Sequence, residues 1–64
     1  MLTNSRDIIR RLEREGWRLV RVDGSHHHFA KDGRRNLVTV PHPRKDISIG
    51  TARNIYRQAG WAKD

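Results

Sequence analysis

Two Asp-Gly pairs, Asp23-Gly24 and Asp32-Gly33, constrain this chain more than any other feature. At the first, glycine supplies the positive φ that a hairpin turn demands, and the second marks a further turn of the chain. Two such turns in succession predict a three-stranded antiparallel meander, with strands over residues 17–22, 26–31 and 36–40. In the first strand Trp17, Leu19 and Arg21 are expected on one face and Arg18, Val20 and Val22 on the other. Leu37, Val38 and Val40 are the apolar members of the third. Pro41-His42-Pro43 then closes the sheet, because proline cannot donate to a ladder.

Helical spacing flanks the meander on both sides. Residues 3–15 carry Ile8, Ile9 and Leu12 on one stripe, with Thr3 or Ser5 available as a cap and Gly16 as a stop. Arg6, Arg10, Arg11 and Arg14 share the outer face with Asp7, Glu13 and Glu15. Residues 49–59 form the second helix, capped by Ser48. Ile49, Ala52, Ile55, Tyr56 and Ala59 line its buried side, Gly60 ends it, and Trp61 folds back on the core. The order α-β-β-β-α over residues 1–64 therefore reads as a single small α+β domain, with both helices on one face of the sheet and the other face open. With 34% hydrophobic residues the chain can build one thin core but no deep ligand cavity.

Fourteen Lys and Arg against seven Asp and Glu leave a net charge of +7. Such a surface points first to nucleic acid, where neutralising phosphates releases counterions. Charge that serves solubility alone, or an acidic protein partner, would also account for it. Eleven of the fourteen cations are arginine, which suits bidentate phosphate contacts. There is no cysteine, which removes disulfides, thiolate zinc sites and a cysteine nucleophile together. No signal or membrane-spanning segment is apparent, so a cytoplasmic location is expected.

The chemistry centres on Gly24-Ser25-His26-His27-His28-Phe29, which holds three of the four histidines. An affinity-tag remnant would sit at a terminus rather than inside a hairpin. A metal site from His26, His28 and His42, with Asp23 or Asp32 as a fourth group, is conceivable in geometry, but no spacing matches a known zinc motif, and none is expected. A purely structural role, with imidazoles stacked on Phe29 or Trp17, is the plainest alternative. The sharper reading is metal-independent RNA cleavage. RNA carries its own nucleophile in the 2′-hydroxyl, an imidazole can move the protons near neutral pH, and cations stabilise the phosphorane. Ser25 would orient the phosphate.

Several segments taken together resemble the HicA toxins of bacterial type II toxin–antitoxin systems. They are Trp17-Arg18-Leu19-Val20-Arg21, Gly24-Ser25-His26-His27-His28-Phe29, Val38-Thr39-Val40-Pro41-His42-Pro43, Ile49-Gly50-Thr51 and Gln58-Ala59-Gly60. The resemblance runs over almost the whole chain. It implies a fold like a double-stranded-RNA-binding domain and an mRNA endoribonuclease (an mRNA interferase) that needs no metal or other cofactor. It also implies a HicB-type antitoxin partner in a higher-order hetero-oligomer, and no membrane. The family's catalytic histidine falls on His26, with His27 in reserve because some relatives carry a polar residue first and histidine second. Ser25, His28, Lys31, Arg34, Arg35, His42, Arg44 and Lys45 are the expected phosphate and RNA contacts. His42, clamped between prolines, is read as a second acid/base, a phosphate contact or a packing residue. The competing reading is a non-catalytic double-stranded-RNA-binding module, which has no need of clustered histidines.

Overall fold

The computed structural model describes residues 1–63. Helix α1 spans Ser5–Arg14, strands β1, β2 and β3 span Arg18–Asp23, His26–Ala30 and Val38–Pro41, and helix α2 spans Ile49–Ala59. The sheet is antiparallel in the order β1-β2-β3, as the two Asp-Gly turns predict. The first turn places Gly24 at φ 58° in the first central position of a two-residue loop joining Asp23 to His26.

The core forms where the helices cover β2 and β3. Phe29, Val38 and Val40 from the sheet meet Ile8 and Leu12 of α1 and Ala52, Ile55 and Tyr56 of α2, all at 1% exposure or less. Trp17, Ile47 and Trp61 close the margins. Ser48 caps α2 by accepting from the Thr51 amide, and Gly60 ends it at φ 77°. Trp61 folds back as expected, stacking edge-on against Tyr56 with ring centroids 5.1 Å apart.

Four details differ from the expectations. The cap of α1 is Asn4, whose Oδ1 accepts from the Arg6 amide at 2.9 Å. Neither Thr3 nor Ser5 caps it; Ser5 is buried inside the first turn. In β1 the register slips between Leu19 and Arg21, so Val20 is an extra, bulged residue. Strict alternation therefore fails: Leu19 and Val22 share a face with Phe29 and His27, while Arg18, Arg21 and Asp23 share the other with Ala30, His28 and His26. The ladder ends also move, with Lys31 beyond β2 and Pro41 the last residue of β3. Finally, Leu37 and Ile49 are exposed rather than core, because one precedes β3 and the other opens α2 at its solvent side.

No helix among the described residues is long and apolar enough to cross a membrane. β1 overhangs the helices. Its Leu19, Val20 and Val22 remain about half exposed, whereas both valines of β3 are buried.

Candidate functional site

Strand alternation separates the histidines. His27 pairs with Val40, a core residue, and so points to the helix side, at the end of the sheet where α1 begins. His26 and His28 point to the open face.

On the open face His28 is fully engaged. Its Nδ1 lies 2.8 Å from the Thr39 hydroxyl and its Nε2 lies 3.1 Å from Asp23 Oδ2. The same carboxylate oxygen accepts from Arg21 Nε at 2.9 Å. Both ring nitrogens are thus committed within the protein. His26 is the opposite case: it is exposed, and its ring makes no hydrogen bond among the described residues.

His27 and His42 meet on the helix side. Their rings stand edge to face, with centroids 5.0 Å apart. The contact is built by the backbone, since the His42 amide donates to the Ser25 carbonyl at 2.8 Å and extends the β2–β3 ladder past Pro41. His27 Nδ1 lies 3.3 Å from that same carbonyl. His42 Nδ1 lies 2.7 Å from Ser5 Oγ, which also accepts from the Arg44 amide at 2.9 Å. The Ser5 amide returns a bond to the Arg44 carbonyl at 2.8 Å, so the loop after β3 is pinned to the first turn of α1.

A cleft of about 290 Å³ opens beside this pair, lined by Asn4, Ser5, Arg6, His42, Arg44 and Lys45 among others. Arg6, Arg44 and Lys45 face no carboxylate among the described residues, so their charge is available to an anion. The Asn4 cap and the first-turn amides of α1 add positive potential at the same place. Chemically, the arrangement offers two imidazoles in contact, each with one ring nitrogen unbonded among the described residues, and one of them lines a cleft with Arg6, Arg44 and Lys45.

The expected site residues divide accordingly. His42, Arg44 and Lys45 line one cleft and His27 stands against His42, with Ser25 joining the two histidines through its carbonyl rather than its hydroxyl. Lys31 and Arg34 do not. Lys31 lies against Gly16 beyond the far end of β2. Arg34 donates to the carbonyls of Gln58 and Ala59 at the end of α2, at 3.0 and 3.5 Å, and covers the Trp17 ring at 5.4 Å. Arg35 is exposed in the β2–β3 loop. The histidine set His26, His28 and His42 is split between the two sides of the sheet, and among the described residues no three His, Asp or Glu groups gather in a way that could hold a metal ion.

Sequence reasoning missed Ser5 and Arg6. Ser5 was read as a possible cap and Arg6 as an outer-face charge, and their contact with the loop after β3 spans some forty residues. A buried serine at a helix start beside a proline-flanked histidine leaves no local signature.

A search of curated proteins finds no match for the chain. A family model described as the HicA toxin of bacterial toxin–antitoxin matches residues 5–61, from the buried serine of α1 to the tryptophan that closes the core, and the chain accordingly belongs to the HicA toxin family.

Proposed function

We propose that this protein is a metal-independent endoribonuclease that cleaves mRNA and arrests growth, with His27 as the acid/base group. The observation that carries this reading is the ring contact of His27 with His42, which itself lines a cleft together with Arg6, Arg44 and Lys45. His27 is preferred to His26, the first expectation, because it is oriented by the Ser25 carbonyl and stands against His42, which lines the cationic cleft. His26 has neither a partner nor a cationic neighbour of that kind. His28 would have to break two hydrogen bonds to act.

RNA would lie with one phosphate against Arg6, Arg44 and Lys45, and Arg35 would contact the backbone further along. Family membership implies an antitoxin. A HicB-type protein that covers this edge of the sheet, in a hetero-oligomer within the cytoplasm, is the partner that fits a basic toxin. A module that binds duplex RNA without cutting it would have no use for two imidazoles in contact.

The test is cleavage of a single-stranded mRNA fragment in EDTA by wild type, His27→Ala and His26→Ala, alongside growth on induction. Wild type should cut, His27→Ala should fall at least a hundredfold and lose toxicity, and His26→Ala should stay within about tenfold. Undiminished cutting by His27→Ala rejects the assignment. Duplex binding by a wild type that never cuts would establish the non-catalytic module instead.

A further inference from the structure

The two histidines in contact are held by different partners, and those partners fix where each ring carries its proton. A carbonyl oxygen can only accept, so the bond from His27 to Ser25 requires the proton on Nδ1. Its Nε2 is then a free lone pair. His42 is governed by Ser5, a serine at 1% exposure. Ser5 Oγ accepts from the Arg44 amide, and among the described residues its own proton has one bonded acceptor, His42 Nδ1 at 2.7 Å. Leaving a buried hydroxyl proton unpaired is costly, so the neutral His42 ring accepts at Nδ1 and carries its proton on Nε2. The pair thus presents one acceptor and one donor.

We propose that His42 is a second catalytic residue of this endoribonuclease, acting as a neutral hydrogen-bond donor to the scissile phosphate, and that Ser5 is the positioning residue that sets it. This rests on the reading of the protein as an RNA-cleaving enzyme. His27 Nε2 takes the proton of the 2′-hydroxyl as the 2′-oxygen attacks phosphorus and the P–O2′ bond forms. His42 Nε2–H donates to a non-bridging oxygen, where negative charge gathers, and Arg44 and Lys45 share that charge. The P–O5′ bond then breaks and its electron pair leaves with the 5′-oxygen, which receives the proton held by His27. The products are a 2′,3′-cyclic phosphate and a 5′-hydroxyl. One proton travels from O2′ to O5′ through His27, and His42 exchanges none.

A donor that exchanges no proton can be replaced by an amide. His42→Gln should therefore retain cleavage within about tenfold of wild type, while His42→Ala should lose about a hundredfold or more. Equal loss in the two variants, with both still folded by thermal melting, overturns the donor role and makes His42 a proton-transfer or packing group. Nitrogen-15 NMR of the wild type at pH 8 tests the tautomers without any substitution. His42 should show a protonated Nε2 and an unprotonated Nδ1, His27 the reverse, and Ser5→Ala should abolish the preference at His42 alone. A protonated Nδ1 on His42 in the wild type overturns the proposal whatever the variants do. A wild type that cuts no RNA overturns the endoribonuclease reading itself, and this division of roles with it.

Discussion

The two ends of helix α1 use the same residue types for opposite purposes. At its end, Glu15 accepts from the Trp61 indole at 2.6 Å and from Arg11 Nε at 3.1 Å, and Arg11 stacks over the Trp61 ring at 4.1 Å. Arg34 covers Trp17 and binds the last carbonyls of α2 nearby. The charges named there are consumed in clasping the helices together. At the start of α1, about 15 Å away by helical rise, Arg6, Arg44 and Lys45 pair with no carboxylate among the described residues.

Substitutions at the two ends should separate stability from activity. Trp61→Ala has the largest expected effect: it removes a nearly buried indole from the clasp and should cost about 3 kcal/mol in chemical denaturation. Its folded fraction, measured at low temperature, should still cut RNA. A specific loss of cleavage in that fraction would break the separation. Arg34→Ala should cost about 1 kcal/mol through the lost bonds to the α2 carbonyls, with kcat/KM unchanged.

Arg44→Ala at the other end should behave in the reverse way. Among the described residues its bonds are made by the backbone alone, so melting should shift little, while RNA binding weakens several-fold and the salt slope falls by about one. A large loss of stability instead would show that the cleft cations belong to the frame.

The smallest effect concerns acid. Burial raises the Glu15 carboxyl, but the bonds from Trp61 and Arg11 and the charges of Arg11 and Lys31 outweigh it, leaving its pKa below the usual 4.5. A carboxyl depressed by folding stabilises above its unfolded value, and that contribution disappears as pH falls through the folded one. The melting-temperature gap between wild type and Glu15→Gln should therefore be present at pH 6 and shrink below about pH 4. A gap that is flat across this range would remove the electrostatic part of the clasp.

The fold was legible because its punctuation is local. Asp23-Gly24, Ser48 and Gly60 each act within a turn of chain, and α2 falls on the predicted residues 49–59. The bulge at Val20 was not legible, since it reflects how β1 meets β2 rather than any preference of Val20 itself. The site was half legible. Alternation along β2 rightly separated His27 from His26 and His28, but choosing between them required knowing which face the helices cover. That depends on how α1 docks. The same docking turns Ser5 from a cap into the partner of His42, and brings Arg6 round to Arg44 and Lys45.

The bulge has a bearing on how the protein behaves before it meets any partner. The two margins of the sheet are unequal. The Thr39 amide of β3 is bonded by the Gln58 side chain at 3.0 Å, so that margin is occupied. The β1 margin is bare, and it carries Leu19, Val20 and Val22, a stretch of the kind that zips sheets of separate molecules into insoluble stacks. An extra residue in the middle of β1 breaks the regular spacing of its amides and carbonyls. A bulged margin of this kind is a poorer template for pairing with a second copy than a regular one.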